Sequence, residues 1–166
     1  MRRLFSIRSR VTKDAFLGAL LVLLTSGLSG CKQPPSPIDG YGKWRFGITT
    51  AKDGIACSKR DTYTFCSNNG PVVIAEQKTN INLYFDGVES TSPLSEIELA
   101  IPRCRPQSVA RALLTKLGKP TETTKAKMRW LGSHSTILAL VPAEDDECLV
   151  YFLRPTDKTR AAELWK

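Results

Sequence analysis

The chain has 166 residues, of which 24 are Lys or Arg and 16 are Asp or Glu, giving a net charge of +8, and 42% of its residues are hydrophobic. That length and apolar content suffice for one domain with its own core and argue against two. Charges of both signs are mixed along the chain, with no block of Lys and Arg interleaved with aromatics, so the basic balance gives no support to nucleic-acid binding.

The chain opens with Arg2, Arg3, Arg8, Arg10 and Lys13, continues through an apolar run from Ala15 to Leu24, and reaches small and polar residues from Thr25 to Gly30. This is the three-part layout of a secretory leader. A membrane-spanning helix, the alternative, needs about 20 apolar residues, and this run stops before Thr25, Ser26 and Gly27. Asp14 weakens the basic end without cancelling it. The leader ends in Leu28-Ser29-Gly30-Cys31, which resembles the lipobox of bacterial lipoproteins. The resemblance covers residues 1–31 and implies that the Cys31 thiol takes a diacylglycerol, that cleavage follows Gly30, and that the new amine of Cys31 takes a further acyl chain. Two or three acyl chains hold a protein on a bilayer far more firmly than one, at about 0.8 kcal/mol per buried methylene. Lys32 follows the cysteine where lipoproteins retained in the inner membrane commonly carry an acid, so the resemblance implies the outer membrane, facing the periplasm. Loss of residues 1–30 removes five basic residues and one acid, lowering the net charge from +8 to +4.

Residues 32–42, with Pro34, Pro35, Pro37, Gly40 and Gly42, read as a tether. Its eleven residues reach roughly 30 Å at about 3.1 Å each. The globular domain is expected over 43–166. Trp44, between Lys43 and Arg45, is the candidate contact residue, although burial in the core is the favoured reading of it. Thr50 and Asp53 have capping-box spacing and predict a short helix, ended by Gly54. Pro71 to Glu76 is a β-branched run. Asn80 to Asp86 alternates Ile81, Leu83 and Phe85 with Asn82 and Tyr84, as a half-buried strand does, and Asp86-Gly87 turns the chain. Leu94 to Ile101 sets Ile97, Leu99 and Ile101 opposite Glu96, Glu98 and Ala100, so Glu96 and Glu98 share an outer face expected to be solvated.

The clearest helix is predicted over Pro106 to Leu117: proline suits its first position, Val109, Leu113 and Leu117 form a stripe, and Gly118 and Pro120 stop it. Strands are predicted at Lys127 to Leu131, Thr136 to Val141 and Glu147 to Leu153. A short helix over Asp157 to Trp165 lays Ala161, Leu164 and Trp165 on the sheet. The expected fold class is α+β, a largely antiparallel sheet with one main helix. Gly47-Ile48-Thr49 and the strands ending Leu83-Tyr84-Phe85 echo Pro106 and the strands ending Val150-Tyr151-Phe152, a pattern that allows two fused helix-plus-meander units.

With Cys31 reserved for lipid, four cysteines remain, and an oxidising compartment favours two disulfides from three possible pairings. The favoured pairing is Cys57 with Cys66 and Cys104 with Cys148. The first closes a short loop worth a little under ~3 kcal/mol on chain-entropy grounds; the second ties the halves of the domain together. A metal site competes poorly, because the cysteines form no CxxC pair and the only histidine, His134, sits in a Gly-Ser-His-Ser turn. Glu144-Asp145-Asp146-Glu147 lacks the ligand spacing and turn glycine of a calcium loop. Neither a Gly-x-Ser-x-Gly elbow, a phosphate loop nor His-Glu-x-x-His is present. No catalytic, cofactor-binding or metal residue is assigned; an enzyme would have to use Glu96, Glu98 or His134.

The order of helix, Gly-Lys-Pro, Met-Arg-Trp, apolar strand and Val-Tyr-Phe from Val109 to Phe152 resembles small lipoproteins that assist outer-membrane protein assembly. Those are α+β domains that act by contact. Here strands precede the helix and four cysteines are added, so the resemblance implies similar architecture rather than the same task. Tandem helix-plus-sheet units also resemble some secreted inhibitors of β-lactamase, which bind through a sheet face. The expected function is therefore a lipid-anchored, non-catalytic protein-binding or scaffold module of the envelope, with an envelope protein as partner; the alternative is an inhibitor or immunity lipoprotein against a periplasmic toxin or hydrolase. Intact-mass measurement of the chain purified from its own envelope should find Cys31 as the first residue with diacylglycerol and acyl additions, and Cys31→Ser should leave the leader uncleaved.

Overall fold

A computed structural model of the chain describes residues 38–143 and 146–166. The leader, Cys31 and the proline-rich part of the tether lie outside the described residues. A first hairpin pairs β1 (Gly40–Tyr41) with β2 (Trp44–Arg45), and a single 3-10 turn follows at Ala51–Asp53. Asp53 Oδ2 accepts the Thr50 N–H at 2.9 Å, the reciprocal bond that the capping-box spacing predicts. The remaining strands are β3 (Cys57–Lys59), β4 (Tyr63–Cys66), β5 (Val72–Ile74), β6 (Gln77–Asp86), β7 (Leu94–Ile101), β8 (Glu122–Thr123), β9 (Lys127–Leu131), β10 (Thr136–Leu140) and β11 (Cys148–Leu153). The helices are α1 (Pro106–Leu117) and α2 (Lys158–Trp165).

The large sheet is antiparallel throughout, in the order β3-β4-β6-β7-β11-β10-β9-β8, with β5 paired to the first part of β6. The fold is α+β, as the alternating runs and the single long amphipathic stretch predict. Its strand order reads as two four-stranded meanders whose last strands, β7 and β11, meet at the centre. That layout makes β11 the counterpart of β7. The echo between Leu83-Tyr84-Phe85 and Val150-Tyr151-Phe152 therefore links strands that are not equivalent, because the former lies on β6. The two units also open differently, one on the 3-10 turn and the other on the twelve-residue α1.

One face of the sheet carries Leu83, Phe85, Ile97, Leu99, Ile101, Val150 and Phe152, and it is covered by Val109 and Leu113 of α1 together with Trp44 and Ala51. The other face holds a smaller cluster in which Ala161, Leu164 and Trp165 of α2 lie on Leu138, Tyr151 and Leu153. Both disulfides form as expected. Cys57 and Cys66 face each other across the β3–β4 hairpin, and Cys104–Cys148 joins the residue after β7's end region to the start of β11, across a sequence separation of 44. Gly54 packs against the first of these, since a Cβ there would meet Cys66 Sγ at 2.5 Å and Cys57 Sγ at 2.8 Å.

One expectation is corrected, and for Trp44 the core reading holds over the contact one. The folded part reaches back past residue 43: Ser135 Oγ donates to the Ile38 carbonyl at 2.5 Å, and Tyr41 lies 5.3 Å from Phe152, ring to ring. Gly40 and Gly42, read as tether glycines, shape the β1–β2 hairpin instead, at φ 154° and 59°. Trp44 is not a surface contact. It is 3% exposed, because its two-residue strand turns it into the core while Lys43 folds back over its ring, with Nζ 4.5 Å from the centroid. Trp44→Ala should therefore lower unfolding stability by about 3–5 kcal/mol, read as a reduced denaturation midpoint.

Candidate functional site

The sheet's second face is the candidate site, and strand register assembles it. Asn82 pairs with Glu98, Glu98 with Tyr151, Tyr151 with Leu138, Leu138 with Arg129 and Arg129 with Glu122, so one row crosses five central strands and reaches β8. The neighbouring row runs Phe65, Tyr84, Glu96 and Leu153. Cross-strand neighbours on one face lie close enough to interact directly. α2 covers the β10–β11 part of this face. On the β4–β6 part Phe65, Asn82 and Tyr84 are half-buried and Tyr63 is 40% exposed. Tyr84 centres the aromatic group, 5.1 Å from Phe65 and 6.1 Å from Tyr63 between ring centroids.

Glu96 and Glu98 share this face, as their spacing requires, but Glu96 is not solvated. It is 6% exposed and receives Arg160 of α2 in a fork, Nε to Oε2 at 2.9 Å and a terminal nitrogen to Oε1 at 3.3 Å. The expectation of a solvated pair fails because α2, placed by the chain's last residues, returns across the strand. Glu98 is half-buried. Its Oε1 accepts the Asn82 amide at 2.7 Å and its Oε2 faces the Tyr84 hydroxyl at 3.5 Å.

Burial pushes the Glu96 carboxyl above its ordinary range, and the hydrogen bond and charge of Arg160 pull against that rise without cancelling it. Arg160 is held protonated beyond its ordinary range, first by its hydrogen bond to Glu96. The pair attracts, yet the carboxylate's loss of water outweighs the attraction, a balance common for buried ion pairs. Tyr84 and Tyr151 are driven well above the usual phenol range, first by burial and then by the charges of Glu98 and Glu96. Their hydroxyls stay protonated and able to donate through the alkaline range.

A cleft of about 280 Å³ lies beside Glu96, between Tyr63, Ser95, Arg154 and Arg160. Arg154 there bridges Asp157 and Asp86, with contacts of 2.9 and 3.3 Å. A second cleft of about 300 Å³ lies at the C-terminal end of α1, lined by Lys116, Lys119, Trp130 and the exposed turn that carries His134. Among the described residues no carboxylate lines it, so none of them there orients His134 as a base. Among the described residues no group of three or more His, Cys, Asp or Glu could hold a metal, and Glu144 and Asp145 lie outside them. No described helix is long and apolar enough to cross a membrane.

No family model, curated protein or solved structure matches the chain. The site therefore rests on its own geometry. Sequence reading placed Asn82 and Tyr84 on one strand face and Glu96 with Glu98 on another; it missed Arg160 and Tyr151 as their neighbours. Parity within each strand was the available signal, and nothing local announces that β11 lies beside β7.

A carboxyl that protonates more readily folded than unfolded adds stability below its unfolded value, about 4.3 for Glu, and loses that contribution as pH rises through the folded value. Glu96→Gln should therefore flatten the rise in instability above that range while leaving stability at pH 7 within about 1 kcal/mol of the parent, since the remaining Arg160 is 43% exposed. Arg160→Ala strands a buried carboxylate and should cost about 1–3 kcal/mol at pH 7, moderated by the exposure of Arg160, and less at pH 4. Urea titrations across this pH series measure both.

Proposed function

We propose that this chain is a lipid-anchored envelope protein, outer-membrane and periplasm-facing, that acts by binding another envelope protein rather than by catalysis. The observation that carries the reading is the open β4–β6 part of the second sheet face, where Tyr63, Phe65 and Tyr84 form an accessible aromatic group beside Asn82 and Glu98. Aromatic residues supply contact area with little conformational entropy to lose, and they are enriched where proteins bind proteins. The rest of the design supports such a role. Two disulfides and a sheet packed on its first face and on the β10–β11 part of its second make a rigid platform, and the leader with Leu28-Ser29-Gly30-Cys31 supplies the anchor.

The meander-on-meander sheet favours one second reading, an inhibitor or immunity lipoprotein that presents this face to a toxin or hydrolase. Purification of the full chain from detergent-solubilised envelope of its own cells separates the two. A resident membrane protein should co-purify and fall about tenfold with a Tyr63→Ala, Phe65→Ser double variant. Retention of a secreted foreign hydrolase instead selects the inhibitor. Recovery of no protein beyond that held by another lipoprotein overturns binding as the function.

A further inference from the structure

Among the described residues, three carboxylates of the second face are paired with arginines, and Glu98 is not. Glu96 holds Arg160, Glu122 holds Arg129, and Asp86 holds Arg154. Arg129 also lies over the Trp165 ring, with Cζ 4.5 Å from its centroid. Glu98 has no basic side chain within ion-pair distance among the described residues; its contacts are the Asn82 amide and the Tyr84 hydroxyl. It is half-buried at the border of the open aromatic group, and its charge adds to the negative field felt by Tyr84 and Tyr151.

We propose that Glu98, with Tyr84 beside it and Phe65 stacked beyond Tyr84, is the socket for an arginine side chain of the partner protein. This deepens the binding reading and rests on it. The occupant follows from charge and shape. One uncompensated carboxylate calls for one cation, and a ring group beside it favours a planar guanidinium, which stacks on aromatic faces while it forks to a carboxylate; an ammonium does so less well. The Asn82 amide orients the acceptor by holding Oε1, and the same face already solves this problem three times with its own arginines. The aromatic group extends from Tyr84 to Phe65 and Tyr63, a wider surface than one side chain fills, so the arginine belongs to a protein surface rather than to a free amino acid.

The test places a photo-reactive benzoylphenylalanine at Ser58, which is exposed and pairs with Phe65 on the same face, in the full chain expressed in its own cells. A second chain carries it at Leu114 on α1, 43% exposed, as the reference. A discrete protein adduct at Ser58 is expected, with an arginine in or beside the cross-linked peptide. Its yield should fall at least about tenfold in Glu98→Gln, which keeps the side chain's shape and an oxygen for the Asn82 amide, and should survive in Glu98→Asp, which keeps the charge. Glu98→Arg should abolish the adduct, and replacement of the partner's arginine by glutamate should restore it. An adduct insensitive to Glu98, an equal fall in the Gln and Asp variants, or a cross-linked segment without arginine overturns the socket and leaves protein binding intact. A second copy of this chain or a lipid as the adduct overturns it too, as does an adduct found only at Leu114. Absence of any protein adduct at both positions overturns the socket and the binding reading together.

Discussion

The antiparallel pairing of β7 with β11 is the constraint on which the rest depends. Six residue pairs, from Cys148 opposite Ile101 to Leu153 opposite Glu96, join two meanders that are otherwise separate hairpin stacks. A strand at the middle of so wide a sheet has no solvent edge, and here its first face is covered fully and its second in part. The first face obtains its cover from α1 and the Trp44 hairpin. On the second, Leu138, Tyr151 and Leu153 require α2. The Cys104–Cys148 bond holds one end of the same pair, closing a segment that includes all of α1, β8, β9 and β10. A loop of that length corresponds to about 4 kcal/mol of chain entropy removed from the unfolded state.

The second face is built on different chemistry from the first. Its apolar cluster is small, and charged side chains do much of the joining: Arg160 ties α2 to β7, Arg129 ties β9 to β8 and stacks on Trp165, and Lys127 Nζ donates to the Leu164 and Trp165 carbonyls at 3.2 Å. A cation at those carbonyls also meets the negative end of α2's dipole. Such contacts lose more when a single partner is removed than an apolar contact of equal area, because the remaining charge stays buried. The same reliance on charge makes α2 directional: it fits only where Glu96 and the carbonyl-capping lysine fall in register.

Sequence alone was informative wherever burial followed a period. Pro106, the stripe of Val109, Leu113 and Leu117, and Gly118 delimit α1 at the residues observed, and Gly118 takes φ 76° after the last turn. β7 and β9 likewise keep the bounds that alternation gives them. The β3–β4 hairpin escaped because Ser58, Lys59 and Arg60 carry no alternation; an edge hairpin with exposed residues is held by its cystine and backbone ladder rather than by apolar burial. Trp44 allowed a contact reading because Lys43 and Arg45 flank it, but successive residues of a strand face opposite ways, and the core reading holds. Glu96 looked solvated because the element that buries it lies 64 residues downstream. The candidate site was visible as two same-parity pairs, Asn82 with Tyr84 and Glu96 with Glu98, and its assembly needed long-range register that no local pattern encodes.

The contact of Gly54 with the Cys57–Cys66 sulfurs ties three positions into one unit of inheritance. While the cystine persists, even a methyl group at position 54 collides with sulfur, so drift there is forbidden although the backbone itself, at φ −77°, would accept any residue. A lineage that discarded both cysteines would relieve the sulfur contacts, leaving the Cβ of residue 66 at 3.1 Å as the tightest neighbour. Variation at 54 among descendants of this chain is thus a record of whether the hairpin is still cross-linked.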